Sequence, residues 1–301
     1  MKRDFLMSAN SHSDPIQHTA AAWRDGLLGV IIFSGSLPAT RVAVADFSPM
    51  FLTSVRAGIA ALLGGTFLLL FRQARPMRRD LLPLATVALG VVIGFPLMTA
   101  LALQHTTSAH SLVFIGLLPL ATAIFGVWRG GERPQPAFWV FSILGAATVS
   151  AFALAGSDSG STIGGIYMVA AVLLCGFAYV EGAKLTRRLG GWQVISWALL
   201  LSLPLMVVIG LFSLPDNWGT ISVPAWIGLA YISVFSMFLG FVFWYRGLAA
   251  GGVAGVGQLQ LLQPFLGLLL AAMLLHEPVS WSMIASASFV VACVAGAKQF
   301  V

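Results

Sequence analysis

The chain has 301 residues, 58% apolar and only 9% charged, with a mean hydropathy of +0.93. A soluble domain carries roughly 25% charged residues, so 16 basic and 10 acidic side chains cannot cover this much apolar surface, and a soluble enzyme, a disordered regulator and a disulfide scaffold are excluded. The net charge of +6 comes without a basic stripe interleaved with aromatics, which argues against nucleic acid as a partner and makes the bases topology signals of an all-α integral membrane protein.

Residues 1–24 read as a polar cytoplasmic tail without the apolar core of a signal peptide. From Gly26 onward, apolar runs of about 20 residues follow one another, the length that crosses a bilayer. No alternation of a barrel strand is present. The first run, Gly26–Val44, holds Ser34-Gly35-Ser36, Pro38, Thr40 and Arg41. It combines small polar groups with a break at Pro38, because proline lacks the N–H that closes a helical turn. The second, Met50–Phe71, follows Pro49 and contains Arg56, the only basic residue well inside a span, for which an anion contact and a structural capping role are both open. The third, Leu81–Leu103, offers Phe95, Met98 and Thr99 around Pro96.

The fourth run, Ser108–Trp128, aligns His110, Phe114 and Leu117 or Leu118 in a stripe towards Pro119 and is followed by Gly131-Glu132. The fifth is Ala137–Ala155. In the sixth, Ile163–Leu185, stand Tyr179 and Glu181, the latter one turn before Lys184 at a spacing common in surface pairs. Trp192–Leu214 is the seventh, and Ala225–Leu248 the eighth, with Phe243 and Trp244. The ninth, Val253–Leu275, carries Gln258, Gln260 and Gln263 just before Pro264 and runs into His276-Glu277. Gln260 and Gln263 share a face, and their amides both donate and accept, which suits a zwitterion. Trp281–Gln299 is the tenth. Aromatics together with a few polar groups are what a small ligand needs, although most aromatics in such a chain pack or anchor.

With the N-terminus inside, alternate loops and tails hold 14 of the 16 Lys and Arg, which predicts ten spans with both termini in the cytoplasm. The chain also aligns on itself at an offset of 145, carrying Pro119 onto Pro264 and Glu132 onto Glu277. Two five-span units, 25–156 and 163–299, follow; an odd number of spans makes the second insert upside down. Inverted repeats with broken helices are an architecture of secondary transporters.

The five-plus-five layout, Gly131-Glu132 and His276-Glu277 after the fourth and ninth spans, Ser34-Gly35-Ser36 with Arg41, and Pro49 with Arg56 resemble the drug/metabolite transporter superfamily in its EamA-type branch. Within it the chain looks like the YddG-type bacterial exporters of aromatic amino acids. The resemblance implies ten helices around a central cavity walled by spans 1, 3, 4, 6, 8 and 9, with spans 5 and 10 peripheral, and alternating access. The cavity candidates are then Ser36, Thr40, Phe95, Met98, Thr99, His110, Phe114, Tyr179, Phe243, Trp244, Gln260 and Gln263, with helix breaks at Pro38, Pro119 and Pro264. Arg56, in a span off the cavity, is expected to be structural, and Glu132, Glu181 and Glu277 to lock or gate.

Cys175 and Cys293 lie in apolar runs and read as packing residues, so no metal is expected. No P-loop, GxGxxG or HExxH motif appears; the expectation is a carrier without cofactor or enzymatic activity, driven by gradients. No carboxylate sits mid-span, which leaves proton coupling, where it exists, to His110 or Glu181. A sugar-phosphate or nucleotide-sugar exchanger would call for more cavity bases than Arg56, and an intramembrane enzyme or receptor for clustered acids or a His/Asp/Ser set.

Overall fold

The computed structural model describes residues 15–131, 133, 135–155, 162–276 and 278–300. Glu132 and Glu277 lie outside the described residues, as do the first fourteen residues of the tail. Ten helical rods run through the described residues: α1 (15–43), α2 (Pro49–Leu70), α3 (Arg78–His105), α4 (Ser108–Gly130), α5 (Pro136–Ala155), α6 (Thr162–Leu189), α7 (Gly191–Phe212), α8 (Val223–Gly251), α9 (253–275) and α10 (Trp281–Lys298). Eight of them are long and apolar enough to cross a membrane, whereas α5 and α10 contribute the shorter apolar stretches Pro136–Gly145 and Trp281–Ala297.

Helix starts follow local chemistry. The side chains of Ser48, Thr107, Ser222 and Ser280 accept from the backbone N–H of Phe51, His110, Ala225 and Met283, opening α2, α4, α8 and α10. Each satisfies a donor that the first turn leaves free. All four caps lie at the end of the bundle opposite the basic loops.

The rods pair as α1 with α8, α3 with α6, α2 with α7 and α5 with α10, while α4 and α9 meet each other and also pack on α6 and α1 respectively. Exchanging the two halves leaves this set unchanged, as a two-fold relation requires. The halves run in opposite directions: a Cβ on Gly164, at the start of α6, would meet Thr106, beyond the end of α3, while Arg188 near the end of α6 bonds Asp80 near the start of α3. The offset of 145 relates more than the two spans from which it was read. It carries Arg78 onto Val223, at the starts of α3 and α8, and Pro136 onto Trp281, at the starts of α5 and α10. Both α3 and α8 widen to π-helix over matching segments, Ala88–Gly94 and Tyr231–Leu239. Residues Gly131 and His276, 145 apart, both cap their helices in the left-handed conformation, with φ of 72° and 51°.

Two large hydrophobic cores stack along the bundle, beside a small third cluster of Ala123, Phe138 and Ala297. The basic-end core gathers Leu84, Val91, Cys175, Ile195, Trp244 and Tyr245, and the opposite core Leu37, Leu103, Leu112, Ile115, Ile232 and Leu268. Phe95 and Leu117 pack against both and mark the seam between them.

Ion pairs, three of them between the halves and Glu181–Lys184 within α6, close the basic end. Asp25 meets Arg246 at 3.2 Å, Asp80 meets Arg188 at 2.5 Å, and Glu181 meets Arg129 at 2.9 Å and Lys184 at 3.7 Å. The acids are buried and their basic partners reach towards the surface. At the opposite end Asp46 accepts from the Ser222 hydroxyl at 2.5 Å and from its N–H at 2.8 Å, and Arg41 donates to the carbonyl of Leu103. Ser222, first through its hydroxyl and then through its backbone, holds the Asp46 carboxyl below the usual carboxylate range.

Two expectations follow from this packing. A Cβ on Gly90 would lie 2.4 Å from the Ala178 Cβ and 2.5 Å from the Leu174 carbonyl, so Gly90→Ala should cost roughly 1–3 kcal/mol of stability, read as a lower midpoint of heat-induced aggregation. Gly58→Ala, facing open space, should not. Because its folded pKa is depressed, Asp46 contributes its stabilisation above the unfolded value near 3.8 and loses it as pH falls through the lower folded value. Carboxyl NMR of labelled aspartate should find Asp46 titrating below 3.8, moving back towards that value in Ser222→Ala.

Candidate functional site

At the seam lies a small central cavity of about 20 Å³, room for roughly one water. Both halves wall it. Phe33, Ser36 and Leu37 come from α1, Arg56 from α2, Val91, Phe95 and Pro96 from α3, and Leu118 from α4. Tyr179 comes from α6, Ser236 and Phe241 from α8, and Gln260 and Gln263 from α9.

Irregular backbone delivers these groups. Helix α1 breaks at Gly35, three residues before Pro38; α4 breaks at Gly116 and Leu117 before Pro119; α9 tightens to a 3-10 turn over Gln258–Leu261 before Pro264. Val91 and Ser236 sit on the two π-helical segments. Widened turns of this kind concentrate at functional sites.

The polar groups are tightly arranged. The hydroxyls of Ser36 and Ser236 are 2.7 Å apart and join α1 to α8. Arg56, 4% exposed, reaches Ser236 Oγ at 3.5 Å through Nη2, and its Nε has no partner. The amide of Gln260 donates to the Tyr179 hydroxyl at 3.1 Å, and that of Gln263 to the carbonyl of Phe33 at 3.3 Å, which leaves Gln263 Oε1 unpartnered. Towards the basic end an aromatic cluster seals the space: Phe33 and Phe241 have ring centroids 4.8 Å apart, and Tyr179 and Trp244 5.7 Å.

Of the sequence candidates, Ser36, Phe95, Tyr179, Gln260 and Gln263 line this cavity. The others do not. Thr40 and Thr99 are buried but bond the carbonyls of Ser36 and Pro96 on their own helices. His110 and Phe114 are buried in α4 towards the opposite end, their rings 5.7 Å apart. Met98 and Phe243 are half-buried outside the lining, and Trp244 packs behind Phe33 and Tyr179. Glu181 belongs to the ion-pair cluster at the basic end, not to the cavity. Arg56 departs from expectation: its span reaches the cavity after all, because the guanidinium turns inward between α1 and α8. Sequence reasoning missed Ser236 and Phe241; a serine in the apolar run Phe235–Phe238 was the available signal for the first.

Two larger grooves, about 440 Å³ each, lie elsewhere. One, beside Gly35 and Tyr231, is almost wholly apolar; the other, beside Phe67 and Trp192, reaches only Gln73 and Gln193, which bond each other. Neither offers the converging polar groups that orient a solute. No cluster of metal-binding side chains occurs among the described residues.

The comparisons with known proteins agree with this architecture. The family model described as "EamA-like transporter family" matches residues 26–153 and again 162–297. The uncharacterized transporter YdeK of Bacillus subtilis is 62% identical over 94% of this chain and 98% of its own length. The uncharacterized inner membrane transporter YedA of Escherichia coli is 27% identical over 53% of this chain and 52% of its own. A solved crystal structure at 18% identity superposes with a TM-score of 0.72, covering 93% of this chain and 99% of its own, and so shares the fold. The chain therefore belongs to the EamA-like transporter family: a multi-pass membrane transporter of the drug/metabolite transporter superfamily, built as two related halves.

Proposed function

We propose that the protein is a secondary carrier that exports aromatic amino acids or related small neutral metabolites by alternating access, with both termini in the cytoplasm. The observation that carries this reading is a cavity of mixed aromatic and hydrogen-bonding character at the seam of two separate cores, walled by both halves. Parting one core while the other stays packed exposes the same groups to one side at a time, as rocking inverted repeats do. Export is the direction of the exporters that the sequence resembles. The sugar-phosphate reading is less well supported, since a phosphate dianion favours several bases and the cavity has one.

In this reading the basic end is cytoplasmic, and the pairs Asp25–Arg246 and Asp80–Arg188 hold it shut. Labelled phenylalanine should enter liposomes containing the purified protein saturably and be displaced by unlabelled tryptophan. Accumulation beyond equilibrium under a pH gradient is not expected, because no carboxylate or histidine among the described residues lines the cavity. Gln260→Ala should raise the half-saturating concentration about 5- to 30-fold, the effect of losing a hydrogen bond worth roughly 1–2 kcal/mol. Unchanged kinetics would remove Gln260 from the site.

The clamp has its own test. Ion pairs with one half-exposed partner are worth at most roughly 1 kcal/mol each, so losing two should shift the population by up to about 30-fold towards the cytoplasm-open state. In a Cys293→Ser background, maleimide labelling of Cys175, buried in the basic-end core, should accelerate accordingly in Asp25→Asn/Asp80→Asn. An unaltered labelling rate would show that these pairs do not gate.

A further inference from the structure

The cavity has an imbalance of charge that the fold does not resolve. Arg56 is buried at the seam, yet no acid among the described residues lies within ion-pair reach of it. The acids that pack inside the bundle, Asp25, Asp80 and Glu181, are at the basic end and already engaged by other bases. The guanidinium has a single long contact to Ser236 and an Nε with no partner. A guanidinium presents five N–H donors in a planar fork, so most of its capacity is open. In the same cavity one strong acceptor is also open, Gln263 Oε1, because that side chain spends its amide nitrogen on Phe33. The remaining wall is apolar, with aromatic faces from Phe33, Phe95 and Phe241 beside Leu37, Val91, Pro96 and Leu118.

We infer that Arg56 is the carboxylate-recognition residue of this cavity, so that the substrate is a small α-amino acid whose carboxylate meets the guanidinium while its ammonium meets Gln263 Oε1. The inference rests on the transport reading and narrows it. A carboxylate uses the fork in two parallel hydrogen bonds and ion-pairs with the guanidinium, while the ammonium of the zwitterion, which keeps the net charge of the occupied cavity at that of Arg56 alone, is met by Gln263 Oε1 and the aromatic faces. A phosphate dianion would leave a net negative charge in the same enclosed space, and chloride cannot use the fork in two directions. The closed volume is too small for any amino acid, so binding must accompany separation of one of the two cores. The hydroxyl pair of Ser36 and Ser236 bridges the helices that would part, and Arg56 touches that bridge.

Three probes isolate the carboxylate on unaltered protein in lipid nanodiscs: L-phenylalanine, phenethylamine, which lacks the carboxylate, and 3-phenylpropionate, which lacks the ammonium. Phenethylamine should bind at least tenfold more weakly than phenylalanine, with 3-phenylpropionate between them. In Arg56→Gln, confirmed as folded by its elution profile, phenylalanine and phenethylamine should bind alike, and Arg56→Lys should recover part of the difference. Equal binding of phenylalanine and phenethylamine by the unaltered protein overturns the inference, as does failure of all three to bind. Inorganic phosphate displacing phenylalanine as strongly as 3-phenylpropionate does would also overturn it. Flux of phenylalanine without discrimination leaves the carrier standing and removes Arg56. Discrimination in binding without flux into liposomes supports the role of Arg56 and removes the carrier.

Discussion

Hydrocarbon offers no partner to a backbone N–H or C=O, and the whole structure answers to that constraint. It dictates helices, and it confines every departure from regular helix to places where protein supplies the missing bonds. The break at Gly35 shows how. Within the turn before it, two side chains of the other half bond backbone carbonyls: the Tyr231 hydroxyl donates to Ile32 at 2.7 Å and Gln263 to Phe33 at 3.3 Å. The discontinuity in one repeat is thus completed by the other. Neither half could hold its broken helix in lipid alone, so the cavity exists only where the halves meet.

The same constraint sorts the charges. A charged side chain at the centre of a membrane helix costs about 3 kcal/mol on insertion scales. Asp25, Asp80 and Glu181 avoid that cost by lying near the ends of their helices, where long basic side chains reach both the acid and the surface. Arg56 has no such escape. It stays within the bundle, against the Ser236 hydroxyl and the cavity.

Much of the fold was legible because its signals are of whole-span size. Apolar runs, alternating basic loops and the offset of 145 each average over many residues, and α3 and α8 carry that offset down to matching π-helical segments. The site was less legible because a helix surrounded by lipid and protein is apolar on all sides, so no polar stripe tells which face turns inward. Thr40 and Thr99 looked like cavity groups in a list of residues, yet each satisfies its hydroxyl on its own helix, an option always open to threonine in an apolar setting. Gln260 and Gln263 could be placed because an amide has too many donors and acceptors to be satisfied locally. Ser236 and Phe241 gave no such sign; their place depends on the register of the widened turn in α8, which only coordinates provide.

Symmetry makes the distribution of ion pairs informative. The two-fold relation exchanges the pair α1–α8 with the pair α3–α6 and, being an inversion, exchanges the ends of the bundle as well. Had the clamps been inherited from the duplication, one pair would carry its ion bridge at the basic end and the other at the opposite end. Instead Asp25–Arg246 and Asp80–Arg188 stand at the same end, and the opposite end has the neutral-partnered Asp46–Ser222 contact in their place. The halves therefore share a scaffold but not its ion pairs. A strictly two-fold scaffold makes its two ends equivalent by rotation; charges added at one end only remove that equivalence.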